Sequence, residues 1–310
     1  MKNYFNQSLL LLILLFACVT QSNAQAPSST IGNEYRVGNE LEFLSALASG
    51  HTIVLKAGTH LNLSEVLDNK DLFDVHGRAF VNDASTFPRD GQERIASEDI
   101  FDGRQLTLVN VHDLTIRGEN DCSIVVEPRY AFVLNFIGCN NISIECLTLG
   151  HTEEGYCNGG VIGMEHCDVM TIESCDMYGC GTYGIEARHT QVLRMFRSII
   201  RDCSYGIMEL GSVSDAIFLL CDFYRNREFG LVTADAGCSQ LIFDDCRFAE
   251  NEGELFAFDT KVRMEGCVIH HAKGDFGNRD NIEHEGPASV FYRDNNALEE
   301  RPIGPRGAIQ

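Results

Sequence analysis

The 310-residue chain carries 45 acidic against 24 basic side chains, a net charge of −21, with 28 glycines and no tryptophan. So acidic a chain has no general means of neutralising phosphates, which argues against nucleic acid and anionic membranes as partners. With 44% hydrophobic and 22% charged residues, it is too apolar for disorder and long enough to bury one large core.

Residues 1–24 read as a secretory signal peptide, with Lys2 as its basic start, Leu9 to Val19 as its apolar stretch and Ser22-Asn23-Ala24 before the cut. The mature chain then starts at Gln25 as one domain, 25–310. A second reading takes Leu15-Phe16-Ala17-Cys18 as a lipoprotein box with Cys18 acylated. Both place the protein outside the cytoplasm, secreted, periplasmic or at the cell surface. No later apolar run is long enough to span a bilayer, so no transmembrane segment is expected in the mature chain.

Asn39 is placed to cap a short amphipathic helix over about 39–49, with Leu41, Leu44 and Leu47 on one face. Thr52 to Gly58 reads as the first coil. Residues 64–105 break the rhythm with Asp71, Asp74, His76, Arg78, Arg89, Asp90 and Arg94, a polar excursion.

From residue 139 a five-point apolar pattern repeats at offsets 0, +3, +5, +8 and +10. It begins with Cys139, Ile142, Ile144, Leu147 and Leu149 and ends with Asp259, Val262, Met264, Cys267 and Ile269. The starting points are 28, 23, 23, 25 and 21 residues apart while the internal offsets stay fixed, so length variation is confined to the connecting loops. A looser copy has Val111, Leu114 and Ile116, and regular coils are expected over 106–270. Apolar residues two apart mark strands with one buried face, and the three-residue step between Ile144 and Leu147 marks a bend. A third strand precedes each later set, as at Gly184-Ile185 and Gly206-Ile207.

Three short strands per coil without intervening helices predict an all-β parallel β-helix whose coils stack at roughly 4.8 Å. An antiparallel sandwich would want hairpin turns, and within the coils only Asn158-Gly159 qualifies. The helix at 39–49 would then plug an open end that otherwise exposes strand edges. The tail 278–310, with Pro287, Pro302 and Pro305, lacks the repeat and is expected to be irregular.

This pattern resembles the right-handed parallel β-helix proteins of the pectate-lyase-like superfamily over about residues 31–275. The stretch Met177-Tyr178-Gly179-Cys180-Gly181-Thr182-Tyr183-Gly184-Ile185 looks like bacterial members that carry only this repeat and have no assigned chemistry. The resemblance implies architecture more than activity. It also implies a saccharide groove along one strand face, since stacked coils suit a linear polymer.

Cysteines 139, 167, 175, 221, 238, 246 and 267 fall on inward points, where Thr, Ser, Val and Leu stand in other coils, so they read as small core groups and not as disulfides or metal ligands. Cys180 and Cys203 share a turn column with Asn226 and Asn251. That column suits an amide ladder of the kind the resembled fold contains, with a Cys180–Cys203 disulfide as the alternative.

Glu186 and Glu209 each lie four residues before a first inward point, Thr190 and Val213, which makes them stacked neighbours, and an outward direction is assumed for both. Aligning the two Gly-Ile pairs instead would separate them. Arg188, His189, Glu165 and His166 follow at the next turn, and the loop from Gly150 to Gly160, with His151, Glu153, Glu154 and Tyr156, is placed to overhang them. Two carboxylates one coil apart suit glycoside hydrolysis, with repulsion raising one pKa toward that of a general acid. Arg188 and His189 are the nearest groups for lyase chemistry, which needs a base and a cation beside a uronate. Glu165, Glu186 and Glu209 also suit calcium, a hard ion taking oxygen ligands. The plain alternative is that these are solvated surface charges.

The polygalacturonase motifs are absent apart from Asp244-Asp245. His270, His271 and His284 follow the last coil, where capping or loop packing is the simpler role, and Glu250, Glu252 and Glu254 read as a solvated turn. Two functions remain open: a carbohydrate-active protein cleaving acidic polysaccharide by lyase or hydrolase chemistry, and a non-catalytic β-helix that binds glycan or supports the cell surface.

Overall fold

The structure is a computed structural model describing residues 33–74, 77–152, 159–179, 183–227, 230–271, 276–278, 280–283, 290–293 and 296–299. The signal segment, Cys18, Glu153, Glu154, Tyr156, Cys180 and His284 lie outside the described residues. By compactness the chain divides into Met1–Asn33 and Glu34–Gln310, and the second unit is the β-helix.

Each coil gives one strand to each of three sheets of ten, ten and nine described strands. In one coil these strands are Asn140–Glu145 on the first sheet, Thr148–His151 on the second and Ile162–Glu165 on the third. Coils pair in parallel, and Ile144, Ile172, Met195, Phe218 and Phe243 stand in one register. All five are buried, as are the other inward points with one exception. Asp259 is exposed, because a lone carboxylate has no partner inside an apolar coil.

The bends have a backbone cause. Cys146, Ser174, Arg197, Leu220, Asp245 and Gly266, each one residue before an inward point, share φ between 46° and 60°. A residue in this left-handed region reverses the extended chain within one step, at a steric cost for any residue with a Cβ. His166 and His189 occupy a second such corner at φ 54° and 51°.

Seven inward cysteines are free and buried at corners. Their thiols donate to carbonyls of the preceding coil, as from Cys139 to Leu108 at 3.3 Å and from Cys246 to Phe218 at 3.4 Å. Cysteine there is thus a donor to a corner carbonyl as well as a small apolar group. In the neighbouring turn column Asn251 Oδ1 accepts from the Asn226 amide at 3.0 Å, and Asn226 Oδ1 accepts from the Cys203 amide at 3.0 Å. An asparagine ladder therefore runs up to the buried Cys203.

At the N-terminal end Glu34–Val37 pairs with Thr52–Leu55, followed by a helix at Glu40–Ala46. Asn39 caps it, accepting from the Glu42 amide at 2.9 Å. The buried face differs from the sequence reading: Leu41 is 52% exposed, and Phe43 joins Leu44 and Leu47 in the core. Residues 64–105 are also more regular than expected. Arg94–Ile100 and Gly103–Val109 form an antiparallel hairpin with a two-residue turn, and Arg78–Val81 pairs on its far side, extending the third sheet. At the other end strands continue past residue 270. Ile282–Glu283 extends the first sheet and Val290–Arg293 the second, so the tail is not wholly irregular.

Candidate functional site

The outer face of the third sheet brings three of the proposed residues together. Tyr183–Arg188 pairs in parallel with Gly206–Gly211, with Glu186 directly opposite Glu209. The alternative alignment of the Gly-Ile pairs is not the one adopted, since Tyr183 faces Gly206. Alternation along the strand turns Ile185 and Ala187 inward and leaves Glu186 and Arg188 outside. Arg188 Nη2 lies 2.9 Å from Glu186 Oε1 and 3.0 Å from Glu209 Oε1. Two oxygens held by one nitrogen are less than about 6 Å apart, which approaches the spacing used by retaining glycoside hydrolysis.

The two carboxylates are not equivalent. The Glu186 side chain is only 23% exposed, and burial pushes its carboxyl above the ordinary value, with Arg188 opposing and Glu209 reinforcing the shift. Tyr183, missed by the sequence reading, belongs to the same cluster. Burial raises its phenol, and the charges of Glu209 and Glu186 add to the rise. Its ring lies over Gly206, where a Cβ would come within 2.6 Å of it, so the close approach requires glycine. The tyrosine was visible in the Gly-Thr-Tyr-Gly-Ile stretch, but only the register reveals its neighbours.

His189 stands one corner away and stacks on His166, with ring centroids 4.8 Å apart and an interplanar angle of 12°. Glu165 pairs in register with Arg188, and its Oε1 is 3.4 Å from His166 Nε2. Its charge adds to the raising of Glu186. Among the described residues no three His, Cys, Asp or Glu side chains are grouped to hold a metal ion. With Arg188 between two of the three expected ligands, the donor set does not fit calcium.

His151 is not an overhanging group either. It is buried, its Nε2 lies 2.9 Å from the Ala131 carbonyl oxygen, its Nδ1 has no partner, and burial lowers its pKa.

The same side of the sheet continues toward the N-terminal coils, where it is covered, with Thr107 and Gly163 buried. Thr107, Asn135, Gly163 and Glu186 share one register column. Asn135 Nδ2 donates to Thr107 Oγ1 at 3.2 Å, and Thr107 Oγ1 donates to Glu98 Oε2 at 2.6 Å. On the other side, Thr233 faces Glu209, with its hydroxyl oxygen buried and unpartnered.

No curated protein sequence matches the chain. Among solved structures, a pectate lyase of Paenibacillus sp. 0602 is similar at 8% identity and TM-score 0.50, over 87% of this chain and 80% of that one. The pectate lyase Pel9A is similar at 12% identity and TM-score 0.46, over 86% and 74% of the two chains. An alginate lyase of Paenibacillus sp. str. FPU-7 is similar at 12% identity and TM-score 0.40, over 86% and 96%. Identity this low speaks to fold alone. Residues 136–297, which take in the whole five-point repeat, match the family described as right handed beta helix region, and with its parallel coils the chain belongs to that family.

Proposed function

We propose that the protein is exported and cleaves a glycan by hydrolysis on the outer face of its third sheet, with Glu186 as general acid and Glu209 as the paired carboxylate. One observation carries this reading: two glutamates in register share one guanidinium, and burial pushes one of them, Glu186, above its ordinary value. Glu186 can deliver a proton to the leaving oxygen as the Glu209 carboxylate bonds to the sugar carbon, and water, giving its proton back to Glu186, then releases the sugar, with Arg188 holding Glu209 in place. The fold likeness to a pectate lyase supports a polysaccharide substrate. An acidic polymer is the poorer fit, because Arg188 is already matched by two carboxylates and the chain carries −21. Elimination would need that cation free to neutralise a uronate.

Export rests on the leader at residues 1–24, with attachment through Cys18 as the second form. Mass spectrometry of the secreted and membrane fractions separates the two. Activity is tested by incubation with neutral and uronic polysaccharides. New reducing ends without ultraviolet absorbance support hydrolysis, and Glu186→Gln and Glu209→Gln should each abolish them. Unsaturated products would replace this reading with a lyase, and retention without product with a glycan-binding protein.

A further inference from the structure

The hairpin that joins 94–100 to 103–109 ends in an uncovered aromatic side chain. Phe101 is 84% exposed, and its ring lies 4.9 Å from that of Tyr130 at 53°. A single exposed phenylalanine is unremarkable, but this one is held in a defined setting. Asp102 Oδ2 accepts from the Arg129 amide at 2.7 Å and Oδ1 from the Tyr130 amide at 3.2 Å. Pro128 packs so closely on Gly103 that a Cβ there would lie 2.6 Å from it. The hairpin tip and the segment 127–130 are thus fastened to each other.

Between them lies a pocket of about 240 Å³ lined by Ser64, Asp68, Asp102, Arg104, Glu127 and Arg129, together with Gly103 and Pro128. An aromatic pair beside a polar pocket matches the two chemistries of a sugar ring, whose C–H face stacks on aromatics and whose hydroxyls donate to carboxylates. Three carboxylates against two guanidinium groups favour a neutral sugar over a uronate. The location also suits a chain already held elsewhere. The pocket at Gly103 lies three strand spacings of about 4.8 Å across the sheet and four residues along the strand from the Glu186 register, a separation of about 20 Å that a linear glycan of several residues spans.

We propose that Phe101, Tyr130 and this pocket form a remote subsite for a neutral sugar residue of the same glycan that reaches Glu186 and Glu209, so that affinity grows with chain length. The inference rests on the glycan reading above, and its test separates the two. Affinity electrophoresis in xylan, β-glucan, galactomannan and polygalacturonate compares wild type with Phe101→Ala, Tyr130→Ala and Glu186→Gln, with thermal midpoints checking folding.

Each aromatic substitution should weaken retention in a neutral polymer about five- to tenfold. Because Phe101 is exposed, its removal leaves the core untouched, and Phe101→Ser serves should the alanine variant fold poorly. Wild-type retention in both aromatic variants, with product formation lost in Glu186→Gln, would overturn the subsite and leave the glutamates standing. Weakened retention with product formation intact in Glu186→Gln would support the subsite and remove the glutamates. Retention by no polymer, or by polygalacturonate alone, would overturn the proposal.

Discussion

Glu186 and Glu209 face each other across neighbouring parallel strands, and one nitrogen of Arg188 lies within 3.0 Å of both. Opposed like charges destabilise a strand pair, so the guanidinium offsets a repulsion that the register builds in. It does not remove the cost of burying Glu186, whose pKa stays raised. In the unfolded chain that carboxyl returns to its ordinary value of about 4.5. Just above that pH the folded protein keeps a proton the unfolded chain has released, and stability therefore falls as pH rises toward the folded pKa.

Glu186→Gln should abolish that slope. The variant is expected to match wild type at the acid end and to exceed it in stability at pH 7, while forming no product. Urea unfolding across this pH range checks the first part, and an unchanged pH dependence would show that Glu186 is not the buried acid.

The column of large inward side chains should carry much of the stability. Phe218 and Phe243 stack with centroids 4.8 Å apart, and both are fully buried. Truncating either to alanine leaves a cavity between coils that cannot collapse without breaking register, at a cost of about 3–5 kcal/mol. Denaturant midpoints close to wild type would place the rings outside the load of the core.

The asparagine ladder makes a sharper demand. Asn251 Oδ1 serves both the amide and the side chain of Asn226, and its own Nδ2 donates to the Phe223 carbonyl at 2.9 Å. Asn251→Ala removes the acceptor of the buried Asn226 amide and the donor to the Phe223 carbonyl, while Asn226 Nδ2 keeps the Ile200 carbonyl, and should cost about 3 kcal/mol. Hydrogen exchange at the Asn226 amide reads the loss directly, and continued protection would mean that the backbone finds another acceptor.

The inward thiols should be reduced. Burial pushes the Cys175 thiol up to about 12, so it is neither nucleophilic nor readily oxidised at neutral pH. Among the described cysteines Cys146 alone is exposed. Alkylation of the native protein should therefore label Cys146 before the seven inward thiols, which denaturation without reductant should release. Mass spectrometry finding four or more disulfides would overturn this account.

The coils were readable in the sequence because each inward point admits only side chains that fit a closed interior, and their offsets are fixed by the strand period. The facing of Glu186 and Glu209 followed from counting back to Thr190 and Val213. What counting could not supply was direction and distance across the sheet. Arg188 bridges its own strand and the next one, and Tyr183 enters the cluster only because Gly206 leaves room for its ring. The helix was placed correctly but misphased, since Leu41 obeys helical spacing while Phe43 has the larger surface to bury. The hairpin of residues 94–109 was lost among charged residues, of which Arg104 is buried and Arg94 and Glu98 half-buried, although Asp102-Gly103 lies at its turn.

That hairpin also reverses strand polarity at one end of the solenoid. Arg94–Ile100 runs against Gly103–Val109, and Arg78–Val81 follows the reversed direction. The first and second sheets keep the direction of the coil at this end. A second molecule adding its coils here would meet two templates running one way and one running the other. No single parallel coil can satisfy all three, so the insertion stops fibre growth at this end by geometry, without depending on charge or concentration.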